Sequence, residues 1–128
     1  MKYSLVNNLK VEPFPGGKGI CLCCRQPTVS KCGIKVIHHW AHKSLVHCDN
    51  WWENETEWHR KWKSHFPQEC QEIVLFDSLT GEKHIADVKT KSGIVIEFQN
   101  SPMSHSELKS RESFYKKNSL DCKWKEIL

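Results

Sequence analysis

Apolar periodicity is clearest in the second half of the chain. "EIVLFD" (72–77), "HIADVKT" (84–90) and "IVIEFQN" (94–100) are short runs rich in β-branched and aromatic residues. They are separated by the turn-forming stretches "SLTGEK" and "KSG", and they predict three successive strands. "SPMSHSELKSRESFYKKN" opens on Ser/Pro punctuation and predicts a helix over about 104–118, and the tail "SLDCKWKEIL" predicts one more strand. Upstream, "DNWWENETEWHRKWKSHFP" predicts a helix over about 51–66. Asp49 or Asn50 serves as its N-cap, acids fill its first turns, Lys and His its last, and Pro67 stops it. Residues 20–48 are dense in Cys and His and show no helical period, while "VEPFPGGKG" reads as the end of a lead-in loop over 1–19. Neither an internal repeat nor a low-complexity segment is present.

The polar residues inside these apolar elements raise a chemical question. Side chains alternate along a strand, so Val95, Glu97 and Gln99 share one face, while Ile94, Ile96 and Phe98 form an apolar face opposite. An acid in such a strand is costly if buried without a partner. A hard divalent cation held by Asp87 and Glu97 would be that partner, because Mg²⁺ typically takes one or two carboxylates and completes its shell with water. On the expected upstream helix Glu55, His59 and Lys63 recur at i, i+4 and i+8 beside a stripe of Trp58, Trp62 and Phe66. A polar stripe at the edge of a core can line a cleft, although taken alone it reads more readily as an exposed ladder of i,i+4 pairs. Downstream, Arg111 and Tyr115 also stand at i, i+4.

Length and composition fit a single globular domain: 128 residues, 27% charged and 38% apolar. No apolar run approaches a membrane span and no signal segment opens the chain, which points to a cytoplasmic protein without a membrane partner. A formal charge of +4 is a mild bias towards anionic partners. Five of the six tryptophans lie between Trp40 and Trp62, marking a compact nucleus. The seven cysteines are Cys21, Cys23, Cys24, Cys32, Cys48, Cys70 and Cys122. An odd count without a secretion signal argues for a reducing compartment and a metal rather than a disulfide framework. Cys21 and Cys24 form a C-x-x-C knuckle, and His39 and His42 a second pair, as a tetrahedral structural Zn²⁺ requires. Cys23, Cys32, His38, His47 and Cys48 are also within reach. The two histidines stand closer than in a helix-bearing finger, and Pro27, Gly33 and "KVI" disfavour a recognition helix, so the module reads as a staple rather than a base reader. The expected organisation is a zinc-binding segment over 1–48 followed by an α/β core over 49–128.

The order C-x-x-C, H-W-A-H, E-T-x-x-H-x-x-x-K, A-D-V, I-E-F-Q-N-S and R-x-x-x-Y, spanning roughly residues 20–118, resembles competence protein CoiA and its relatives. The resemblance implies an N-terminal zinc knuckle joined to a PD-(D/E)XK core, a small mixed sheet flanked by helices as in restriction endonucleases. It implies that Asp87 and Glu97 hold Mg²⁺ (or Mn²⁺) and that Gln99 stands where a lysine is usual. Glu55, His59 and Lys63 would come from the helix beside the site, with Ser101, Arg111 and Tyr115 in a second cluster. The expected activity is metal-dependent cleavage of a nucleic-acid phosphodiester, DNA rather than RNA, in a competence or recombination role. Lys63 or Lys89 would supply the charge Gln99 lacks, His59 would move a proton or bind a phosphate oxygen, and Arg111, Tyr115 and Lys89 would contact the nucleic acid. The alternative is an accessory nucleic-acid-binding protein with a nuclease-like fold and little activity. Two departures stand out: Ala86 precedes Asp87 where proline is usual, and "CKWKEIL" is polar where relatives carry an apolar strand, so a naturally minimal or truncated core one strand short is expected.

Overall fold

Strand formation downstream of Pro67 follows the apolar runs closely. In the computed structural model, which describes residues 1–44, 48–51, 53–118 and the backbone of 121–126, the chain divides into two units, Met1–Lys61 and Trp62–Leu128. His47, one of the alternative zinc ligands, and Trp52 lie outside the described residues, as do the first two and last two residues of the expected tail strand. Among the described residues no helix is long and apolar enough to cross a membrane.

The first unit is a five-stranded antiparallel sheet where a loop and an irregular module were expected. Its strands are β1 (Ser4–Val6), β2 (Leu9–Val11), β3 (Lys18–Ile20), β4 (Pro27–Lys31) and β5 (His39–His42), in the order β2-β1-β3-β4-β5. The first hairpin turns at Asn7 and Asn8, with φ of 52° and 64°. Two consecutive left-handed residues are what a two-residue hairpin turn needs, and asparagine tolerates that region better than most residues. Strands of three residues are too short to show alternation, which is why the proline- and glycine-rich lead-in hid them. Trp40 is the core of this sheet: its ring meets the edge of Phe14 and its Nε1–H donates to Val11 O at 3.1 Å. A Cβ on Gly17 would stand 2.9 Å from Trp40 Cη2, so the close approach requires glycine there.

Helix α1 covers Glu57–Lys63, starting several residues later than the sequence suggests. Asp49 is already engaged in its own turn, accepting from Trp51 N–H at 2.9 Å. Thr56 takes the cap position instead, its Oγ1 accepting from His59 N–H at 3.3 Å. The unit boundary falls inside this helix.

In the second unit a single 3₁₀ turn (Gln68–Cys70) leads into β6 (Gln71–Phe76), β7 (Lys83–Lys89) and β8 (Ile94–Gln99), all antiparallel. Helix α2 (His105–Asn118), capped by Ser104 Oγ accepting from Glu107 N–H at 3.1 Å, then returns the chain to β9 (Asp121–Glu126), which pairs parallel with β8. The sheet is therefore mixed, in the order β6-β7-β8-β9. The polar tail supplies the strand that the core was expected to lack, at the end of the sheet order, where polar residues are tolerated. Leu75, Ala86, Val88, Val95, Phe98 and Phe114 form the apolar core of this unit. Trp62 stacks on Phe98 with ring centroids 5.7 Å apart, and Phe66 meets the same ring at 6.3 Å, fixing the C-terminal end of α1 to the second sheet.

Candidate active site and metal centre

The Cys/His module condenses into one cluster. Cys21 and Cys24 lie in the tight connection between β3 and β4, closed by Arg25 N–H donating to Cys21 O at 3.1 Å with Arg25 in the left-handed region (φ 64°). Cys23 N–H donates to Cys21 Sγ at 3.3 Å, a bond that steadies a thiolate. His42 ends β5, and Cys48 arrives from the segment after it. The ligand atoms of Cys21, Cys24, His42 and Cys48 all lie within 4.8 Å of one another. Cys21 Sγ stands 3.7 Å from Cys48 Sγ, and Cys24 Sγ stands 3.4 Å from His42 Nε2. With Zn–S of about 2.3 Å and Zn–N of about 2.0 Å, a tetrahedral site places such pairs about 3.8 Å and about 3.5 Å apart, so the three thiols and one imidazole fit a structural zinc. The hydrogen bond with Cys48, followed by burial, pushes the Cys21 thiol up to about 12. A bound dication reverses that balance by favouring the thiolates.

His39, expected to pair with His42, does not join the cluster. Both residues are on β5, three positions apart, and an odd spacing on a strand sends side chains to opposite faces. His39 Nδ1 instead lies 2.8 Å from Ile37 O, and Cys48 takes the fourth position of the cluster.

In the second unit, three acids stand in one row across three strands. Counting from Gln71–Val88 to Ile73–Ala86 places Glu72 opposite Asp87, and counting on from Lys89–Val95 and Val88–Ile96 places Asp87 opposite Glu97. At this row side chains replace the regular ladder. Asp87 N–H donates to Glu97 Oε2 at 3.1 Å, and Phe98 N–H donates to Asp87 Oδ2 at 2.8 Å. Tyr115 on α2 donates its hydroxyl to Glu97 Oε1. Burial, and then the charge of Asp87, push the Glu97 carboxyl well above the usual carboxylate range, against the pull of the Tyr115 hydroxyl. Glu97 is buried, whereas the Asp87 side chain keeps 24% of its surface exposed, so the row is open to solvent at Asp87.

Lys63 brings the positive charge. Its Nζ donates to Glu72 Oε2 at 2.9 Å and lies 4.0 Å from Asp87 Oδ1, with both side chains of the Lys63–Glu72 pair at most 5% exposed. Glu72 was not singled out in the sequence. The signal was available, as an acid opening a strand whose register meets Asp87, but its backbone conformation was not. Glu72 has φ of 49°, a region that costs a non-glycine residue about 1–3 kcal/mol and persists only where surrounding contacts impose it.

The other expected site residues are distributed as follows. Gln99 is buried and donates through Nε2 to Ser101 O and Oγ, turning towards its own loop. His59 lies on α1 in the first unit, with Nε2 3.1 Å from Glu53 Oε2 and Nδ1 2.8 Å from Thr56 Oγ1. Glu55 precedes the helix and pairs with Arg60 at 3.6 Å, so the i, i+4, i+8 stripe is reduced to His59 and Lys63. Arg111 and Tyr115, expected to touch nucleic acid, are 6% and 0% exposed; Arg111 Nη2 donates to Glu107 Oε1 at 3.1 Å. An enclosed tyrosine offers no surface to a phosphate, and its hydroxyl serves Glu97 instead. Lys89 alternates onto the Asp87 side of β7 and is half-buried.

Residues 55–125 match the family of the competence protein CoiA nuclease-like domain. Neither a curated protein nor a solved structure matches the chain.

Proposed function

Because this chain belongs to the CoiA nuclease-like domain family, we propose that it is a metal-dependent nuclease whose reaction centre is the Asp87–Glu97 pair. The single observation that carries this reading is the meeting of two carboxylates across adjacent strands, one exposed enough to receive an ion and one held by a buried tyrosine. The donor set suits Mg²⁺ or Mn²⁺: both are hard cations that take carboxylate oxygens, and burial together with the neighbouring charge of Asp87 raises Glu97, a cost a bound cation would offset. Bound there, such an ion would polarise a phosphodiester and acidify an attacking water.

The chain's own groups divide the remaining work. Asp87, the more exposed member, would be the primary ligand, and the Tyr115 hydroxyl donates to Glu97 beside it. Lys63 Nζ would stabilise the negative charge that develops on the phosphoryl oxygens, the role a lysine at the position of Gln99 would otherwise fill. Gln99 carries no charge and would be limited to orienting water or its own loop. Lys89 is the proposed contact to the nucleic-acid backbone on this side of the sheet. The Cys21, Cys24, His42 and Cys48 cluster would hold a structural zinc that staples the N-terminal sheet.

Incubation of plasmid DNA with the zinc-loaded protein and Mg²⁺ tests the reading. Nicking or linearisation is expected from the parent and is lost on chelation of Mg²⁺. Absence of cleavage of DNA and of RNA by the folded parent would favour the accessory nucleic-acid-binding role.

A further inference from the structure

Lys63 is buried between two carboxylates of the same row, Glu72 at 2.9 Å and Asp87 at 4.0 Å. A buried ammonium pairs with the nearest acid available, because an uncompensated charge is costly away from water. If Glu72 were neutral, the nearby charged carboxylate would be Asp87, the group that the proposed function requires as a cation ligand. An ammonium in contact with Asp87 would both occupy an oxygen and repel a dication. The protein avoids this with a residue held in a strained conformation: Glu72 has φ of 49° inside a strand, where the ladder passes from Gln71–Val88 to Ile73–Ala86.

On the proposed function above, we infer that Glu72 is a positioning residue of the reaction centre: it tethers the Lys63 ammonium near Asp87 while withholding it from direct contact with Asp87 Oδ1, an oxygen the proposed divalent cation would use. Glu72 therefore acts through Lys63 and not as a ligand of its own. The arrangement also explains how a chain with Gln99 in the third strand can carry its cation on the preceding helix without that cation closing the site.

Mn²⁺ affinity, measured by calorimetry on the full zinc-loaded chain, separates this role from a purely structural one. Glu72→Gln is expected to bind Mn²⁺ at least roughly tenfold more weakly than the parent, since Lys63 turns to Asp87. Glu72→Gln/Lys63→Met removes the competing ammonium and is expected to return affinity to within about threefold of the parent, although its cleavage activity stays low. A merely structural Glu72 would leave the double variant no better than the single one. Should Glu72→Gln not fold, the double variant, which leaves neither charge behind, decides: affinity within about threefold of the parent's supports the inference, and a tenfold loss overturns it. Asp87→Asn is the control for the underlying reading. If it binds Mn²⁺ as the parent does, or the parent binds none, the cation site itself is wrong and the inference falls with it. If Asp87→Asn loses binding while Glu72→Gln keeps full affinity, the inference alone is overturned.

Discussion

Replacing Lys63 by methionine keeps a side chain of similar length and removes the ammonium from a site that is at most 5% exposed. At 2.9 Å from Glu72 and an effective dielectric of about 20, the Coulombic attraction of the pair is about 6 kcal/mol. Taking both ions out of water costs several kcal/mol each, so the pair as a whole contributes little net stability. The large effect lies in breaking it: Lys63→Met leaves a buried carboxylate without its ammonium, at a cost of about 3–5 kcal/mol. Glu72→Gln is expected to be milder, about 1–2 kcal/mol, because Lys63 has Asp87 4.0 Å away to turn to. The double variant leaves neither charge and should lie within about 1 kcal/mol of the parent. In a unit of this size each kcal/mol moves the melting temperature by about 4–8 °C, so the three variants are easily ranked. Urea denaturation of zinc-loaded protein, followed by tryptophan fluorescence, measures the order. A Lys63→Met variant within about 1 kcal/mol of the parent, or a double variant as unstable as Lys63→Met, would show that the pair is solvated and the reasoning wrong.

Cys48→Ser and Cys24→Ser should each lose the zinc expected at about one per chain and melt at lower temperature, while His39→Ala keeps full metal content; elemental analysis with melting curves distinguishes them. Glu97 has its folded-state carboxyl raised, so in the absence of divalent cation its contribution to stability is fully present below the ordinary glutamate range and is lost as pH rises through the raised value. Thermal melts of the zinc-loaded protein without added Mg²⁺ or Mn²⁺ should therefore carry a component that falls on going from acid towards neutral pH, with Glu97→Gln flattening that slope and Mg²⁺ reducing it; a rising slope attributable to Glu97 would contradict the assignment. Tyr115→Phe removes the hydroxyl bonded to Glu97 and should lower stability by about 1–3 kcal/mol and reduce the cleavage rate with little change in KM, because Tyr115 is enclosed and cannot touch substrate.

What was legible in the sequence tracks element length. β6, β7, β8 and α2 are long enough for period and punctuation to set them within a residue or so, and Asp87 and Glu97 follow from the register those strands adopt. The three-residue strands of the first sheet carry no readable alternation, and their one clear mark, the Asn7–Asn8 turn, lies in a stretch dominated by Pro and Gly downstream. Asp49 caps a local turn that resembles a helix N-terminus in sequence, so the pattern points to a helix start several residues before the true one. The spacing of His39 and His42 suggests a ligand pair on a knuckle loop but places the two side chains on opposite faces of a strand. Glu72 was hidden for a different reason: its importance depends on a positive φ and on the reach of Lys63, neither of which is a local property of "CQEIV".

Whether Asp87 and Glu97 together make the reaction centre is decided by single-turnover cleavage of end-labelled duplex DNA with Mg²⁺ by the parent, Asp87→Ala, Glu97→Ala and Gln99→Ala at folding matched by circular dichroism. The expected result is cleavage by the parent, none by either carboxylate variant, and a weaker but measurable rate for Gln99→Ala, whose amide supplies neither charge nor a metal bond. Undiminished cleavage by a folded Asp87→Ala protein would place the chemistry elsewhere in the chain.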